Sequence, residues 1–188
     1  MSGLSRKNIT LCGVKHAGKS SAAKALSELT GSLFSDSDDA LRELYCRESG
    51  KELSVREIYR ELGEEGFRKL EVRALRNLFQ EGTFRILALG GGVLSNPFLT
   101  SEDRKNMGYL CCIDVPDKVA YERVVRGGLP PFLNGKENPY KAFCEMNQSR
   151  RSVFRKAADL IVEPAPEGSP EETAKIIISN YEMETGNE

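Results

Sequence analysis

Short apolar runs alternate with longer stretches of helical spacing along most of this chain. Strand-like runs recur at Asn8–Cys12, Leu33–Ser35, Phe84–Leu89, Tyr109–Val115 and Leu160–Val162. Helical patterns lie between them, which predicts an α/β fold with a parallel sheet covered on both faces. One helix is expected from Lys19 to about Leu29. Ser54 and Glu57 form a capping-box pattern for a helix through about Leu62. A longer helix follows over roughly Glu64–Phe79, with Phe67, Leu70, Ala74, Leu75 and Leu78 on its core-facing side and Arg68 one position off that stripe. Ser169, Pro170 and Glu172 open a final helix, and Glu184–Glu188 reads as a frayed end. The stretch Arg126–Pro139 holds three glycines and three prolines, which predicts a structured but movable loop.

At 188 residues the chain fits a single domain, 1–188, with a sizeable core. Its formal net charge of -1 argues against a nucleic-acid partner or a membrane surface. Five cysteines without a C-x-x-C pair, and His16 as the only histidine, give neither a disulfide framework nor a zinc pattern. Cys12, Cys111 and Cys112 read as small buried hydrophobes. With no secretion signal at its start and no long apolar span, the chain is expected to be cytoplasmic.

One turn stands apart. Gly13-Val14-Lys15-His16-Ala17-Gly18-Lys19-Ser20 spells G-x-x-x-x-G-K-[ST] between the first apolar run and the first helix. In that setting, backbone N–H groups and the helix N-terminus cradle phosphates. Gly13, Ala17, Gly18, Lys19, Ser20 and Ser21 are the expected nucleotide contacts. Lys19 would reach the β and γ phosphates of a nucleoside triphosphate, and the Ser20 hydroxyl would sit on Mg²⁺.

Three further features belong beside this loop. Asp36 and Asp38 end the second apolar run, and in an extended segment their alternate spacing sends both carboxylates to one side. Such a pair suits a metal's water shell and an acceptor hydroxyl, although an acid here can equally cap the next helix. Gly90-Gly91-Gly92 follows a central strand, where absent side chains permit close approach or a tight turn. Arg68 and Arg150 are either solvent-facing charges or bidentate partners for a planar carboxylate. Arg123 is placed to stack on a base or approach a phosphate.

Taken in order, these motifs resemble the shikimate kinase family, within the nucleoside-monophosphate-kinase-like P-loop fold, from about Ile9 to Val162. The matches are Gly13–Ser20, Asp36-Ser37-Asp38, Phe67-Arg68, and Leu89-Gly90-Gly91-Gly92 with Val93 and Pro97. Arg150, ahead of Ser152-Val153-Phe154-Arg155, corresponds to the family's later carboxylate-binding arginine. The resemblance implies a three-layer fold whose five-stranded parallel sheet has the order 2-3-1-4-5. It also implies substrate-binding helices over about 38–80, a mobile lid over about 126–139, and a monomer. Lys19 and Asp38 would be catalytic, and Asp36 and Ser20 would organise Mg²⁺. Asp38 and Gly91, with Gly90 and Gly92 beside it, would hold shikimate hydroxyls, while Arg68 and Arg150 would hold its carboxylate. Arg123 would pack on adenine, with Pro164 or Pro166 opposite.

One departure is visible in the lid. The family's R-P-L-L becomes Pro130-Pro131-Phe132-Leu133 here, leaving Arg126 or Lys136 to supply a cation. The expected activity is phosphorylation of the shikimate 3-hydroxyl by ATP. The competing readings are a kinase for another polyhydroxy carboxylic acid and a nucleotide-binding regulatory homologue. A nucleoside monophosphate acceptor is disfavoured, because Asp36 and Asp38 would face its anionic phosphate.

Overall fold

The computed structural model describes residues 8–81, 86–126, 133–165 and 167–185. Five strands, β1 (Ile9–Cys12), β2 (Phe34–Asp36), β3 (Ile86–Ala88), β4 (Tyr109–Ile113) and β5 (Leu160–Val162), form one sheet of order β2-β3-β1-β4-β5. Every neighbouring pair is parallel. This is the order implied by the resemblance. Phe84 and Arg85, the expected start of the third strand, lie outside the described residues.

The central strand explains why its sequence is so apolar. All four β1 residues are buried, with Ile9 registered against both Ile86 and Tyr109. Its one polar side chain, Thr10, donates its hydroxyl to the Met107 carbonyl at 2.6 Å and so leaves no unpaired group inside. Cys12, Cys111 and Cys112 are buried in the same core. Around the sheet run α1 (Lys19–Thr30), α2 (Ser37–Ser49), α3 (Val55–Glu81), α4 (Ser101–Asn106), α5 (Asp117–Arg126), α6 (Pro139–Ala157) and α7 (Pro170–Thr185). Among the described residues no helix is long and apolar enough to cross a membrane.

A second, smaller core lies away from the sheet. Leu41, Leu44 and Tyr45 of α2 pack there against Ile58, Phe67 and Leu70 of α3. Helix α3 is broken at Gly63, where φ is 67° and ψ is 179°. Only glycine adopts that pair of angles readily, so the break falls between the two helices that the sequence pattern separates at the same place. The expected capping box is present: the Ser54 N–H donates to Glu57 Oε2 at 2.8 Å and the Glu57 N–H to Ser54 Oγ at 3.4 Å. Ser169 and Glu172 repeat the pattern at α7, at 2.9 and 3.1 Å.

Two expectations about boundaries are corrected. Helix α7 continues to Thr185, so Glu184 is helical rather than frayed. The Tyr109 hydroxyl donates to Glu184 Oε1 at 3.1 Å, and Tyr109 meets the buried Tyr181 ring edge-to-face, which holds this last turn. Within the expected lid, Arg126 closes α5 and Pro139 opens α6 behind an Asn138 cap. Residues 127–132, including Pro130, Pro131 and Phe132, lie outside the described residues, and Leu133 is buried in the main core.

Candidate active site

A cleft of about 750 Å³ opens beyond the carboxyl ends of β1, β2 and β3, where ligands gather in open parallel sheets. Its floor is the phosphate loop. Gly13 has φ 144° and packs so closely on the Ile113 carbonyl that no Cβ fits. Gly18 (φ 99°) turns the chain into α1. Between them His16 takes φ 62°, a left-handed conformation uncommon for a residue with a side chain. Arg123 secures this turn by donating to the His16 and Ala17 carbonyls, both at 3.3 Å.

Lys19 donates to the Val14 carbonyl at 3.1 Å and lines the cleft. Burial lowers its pKa below the usual lysine value, opposed chiefly by the negative charge of Asp38. Beside it the Ser20 hydroxyl donates to Asp36 Oδ2 at 2.7 Å. No group of three or more His, Cys, Asp or Glu side chains is gathered for a metal among the described residues. A hydroxyl and one carboxylate next to a phosphate cradle nevertheless fit Mg²⁺, which keeps waters and takes further oxygens from phosphates.

The two aspartates are not arranged as the extended reading expected. Asp36 ends β2 and caps α2, accepting the Asp38 N–H on Oδ1 at 2.9 Å, while Asp38 already stands in the first helical turn. Capping and chemistry therefore coexist in Asp36. Its Oδ1 starts the helix and its Oδ2 faces Ser20. Asp38 lies along the cleft wall. Burial, then the nearby Asp36 and Glu71 charges, raise its pKa to about 6.

The triple glycine is where the separate segments meet. A Cβ on Gly90 would strike the Asp38 carboxylate, one on Gly92 would lie 2.5 Å from Arg68 Nη1, and one on Gly91 would lie 3.6 Å from Arg150 Nη1. Three successive missing side chains thus make room for the three groups expected to grip an acceptor. The Gly90 N–H also donates to Ser37 Oγ at 2.8 Å, which docks the start of α2 onto this turn. Arg68 and Arg150 are close enough that burial and then the Arg68 charge lower the Arg150 pKa. Two guanidinium groups sharing a half-buried corner call for an anion between them.

The family model for shikimate kinase matches residues 15–182 of the chain. The chain belongs to the shikimate kinase family. It is 32% identical over 180 residues to the shikimate kinase of Thermodesulfovibrio yellowstonii, covering 94% of this chain and 95% of that relative. Among solved structures, it is similar to shikimate kinase from Acinetobacter baumannii in complex with shikimate, with a TM-score of 0.77, 26% identity, and 98% and 96% of the two chains covered. Shikimate kinase from Aquifex aeolicus gives a TM-score of 0.67 at 28% identity over 95% and 98%.

In this shikimate kinase homologue the cleft lining includes every expected site residue except Gly13, which lies beneath the loop. Sequence reading missed Glu71 and Asn96. Buried Glu71 pairs with Arg68 at 3.0 Å, and Asn96 Nδ2 donates both to Glu71 Oε2 and to the Arg68 carbonyl, each at 2.8 Å. The i,i+3 spacing of Arg68 and Glu71 was a usable signal. Nothing local in the sequence singled out Asn96. Pro164 lines the cleft and Pro166 lies outside the described residues; neither Arg126 nor Lys136 is in the lining.

Proposed function

We propose that this chain transfers the γ-phosphoryl group of ATP to the 3-hydroxyl of shikimate, giving shikimate 3-phosphate and ADP. The observation that carries this reading is the convergence of Asp38, Arg68 and Arg150 on Gly90-Gly91-Gly92, in one cleft with the phosphate loop. Arg68, braced by Glu71, and Arg150 grip the acceptor carboxylate through forked donors. Asp38 orients the acceptor hydroxyl. As the acceptor oxygen bonds to the γ-phosphorus, the bond to the bridging oxygen of ADP breaks and the hydroxyl proton passes toward the Asp38 carboxylate.

Lys19 and the loop N–H groups meet the charge on the phosphate oxygens, so that catalysis comes mainly from alignment and fixed electrostatics. Ser20 and Asp36 would hold Mg²⁺, which supplies further neutralisation of the triphosphate when bound. Arg123 flanks the nucleotide side near Pro164. The same reading takes the chain to act as a monomer in the cytoplasm, as the family resemblance implies.

The test is ADP release measured with shikimate, quinate and gluconate side by side. Shikimate-dependent turnover is expected, with little from the other two acids. Turnover confined to another acid would transfer the reading to that acceptor. Nucleotide binding without turnover on any of them would favour a regulatory homologue instead.

A further inference from the structure

Five lysine and arginine side chains line the cleft: Lys15, Lys19, Arg68, Arg123 and Arg150. Three are held by the protein. Lys19 donates to Val14, Arg68 pairs with Glu71, and Arg123 donates to the His16 and Ala17 carbonyls. The side chains of Lys15 and Arg150 have no hydrogen-bond or ion-pair partner among the described residues. Arg150 sits against Gly91 near Arg68, in the corner already assigned to the acceptor carboxylate. Lys15 has no such assignment.

The backbone on both sides of Lys15 is fixed. The Val14 carbonyl accepts the Ala17 N–H at 3.2 Å as well as Lys19 Nζ, and the His16 carbonyl accepts Arg123 across a left-handed turn. A pinned main chain thus carries a free, exposed ammonium group into the cleft. Lys15 lines the same cleft as Asp38, Arg68 and Arg150. An unpaired cation on the phosphate loop, in the cleft that also holds the proposed acceptor groups, is suited to charge that appears during transfer, because no rearrangement is needed to meet it.

We infer that Lys15 is a catalytic residue: a second phosphate-loop cation that contacts the oxygens of the transferring phosphoryl group. This rests on the kinase reading above. In the step itself the acceptor oxygen gains phosphorus, the bond to the ADP bridging oxygen breaks, and the hydroxyl proton leaves toward Asp38. Lys15 keeps its own proton throughout. Its contact strengthens as the phosphoryl group moves away from ADP, so its removal lowers kcat more than it weakens binding.

Lys15→Met and Lys15→Arg, each compared with the wild-type chain, test this. With shikimate and MgATP varied, Lys15→Met should lose about 30–300-fold in kcat, in the range of one lost electrostatic donor, while the shikimate KM moves less than about threefold. Lys15→Arg should recover most of the rate. Calorimetry without acceptor should find the preference for ATP over ADP reduced in Lys15→Met, since only ATP carries the γ-phosphate. An unchanged kcat in Lys15→Met would overturn the inference. So would a loss confined to the shikimate KM, or equal loss of ATP and ADP affinity at unchanged kcat. A wild-type chain that makes no phosphorylated shikimate would strike the kinase reading itself, a result distinct from any of these.

Discussion

The two halves of the cleft are built on different foundations. The phosphate loop springs from β1, which is hydrogen-bonded to β3 and β4 on either side and buried along its whole length. Asp38 and Arg68 ride instead on α2 and α3, around a small core of their own. Its polar ties to the triple-glycine region include the Gly90 N–H to Ser37 and the Asn96 amide to the Arg68 carbonyl. Arg150 belongs to α6, whose Phe143 and Phe154 are in the main core. The two arginines proposed to grip the acceptor therefore stand on helices of different cores.

The sharpest way to break this comparison is to damage each half separately. Lys19→Ala should cost at least about a thousandfold in kcat/KM with any acceptor, because a charge-stabilising donor is lost. Its melting temperature should stay near wild type, since among the described residues the side chain's one hydrogen bond is to the Val14 carbonyl. Arg68→Lys should instead raise the shikimate KM by about 10–100-fold, the worth of a bidentate charge-assisted bond, and leave ATP affinity in place. Lysine keeps a cation beside buried Glu71, so this variant tests the fork without stranding a carboxylate. Equal damage to ATP and shikimate binding by Arg68→Lys would show the halves to be one unit.

The same division decides what could be read from the sequence. The donor half was legible because its parts are contiguous: an apolar run, eight loop residues and a helix in unbroken succession. The sheet order came through resemblance, since no local pattern states which strands are neighbours. For Asp38, Arg68 and Arg150 the structure brings the named residues into one cleft, but not with the geometry expected. Asp36 and Asp38 were placed in one extended segment, whereas helix α2 begins between them because Asp36 caps it. Glu71 looked like one more charge on a helix rich in charges. Its role depends on Asn96, 25 residues away in the chain, and no spacing rule reaches that far.

Gly63 sharpens the comparison from the side of stability. Nothing lies within 4 Å of a Cβ placed there, so an alanine would meet no obstacle and would suffer only from the backbone angles. That strain is worth about 1–3 kcal/mol. Gly63→Ala should therefore lower the denaturation midpoint. Because Tyr59 and Phe67, in edge-to-face contact across the break, both line the cleft and Phe67 adjoins Arg68, the shikimate KM should rise more than the ATP KM. A loss of stability with both constants unchanged would separate the α3 break from the site.

The smallest expected effect concerns the charge on Asp38, and its sign is the informative part. Burial, then Asp36 and Glu71, raise the pKa of this carboxyl to about 6 in the folded chain. Between the ordinary carboxylate value and about 6 the folded state binds the proton more tightly than the unfolded state does. Stability contributed by this group is therefore present at low pH and is lost as pH rises through that window. Asp38→Asn removes the ionised, disfavoured form. In metal-free buffer without nucleotide, the variant should melt above wild type at about pH 7.5, and the difference should close by about pH 4. The same variant should lose most phosphoryl transfer at either pH. A melting difference of constant size across the range would mean that packing, rather than charge, distinguishes the two side chains. The acceptor half would then carry no electrostatic strain for substrate binding to relieve.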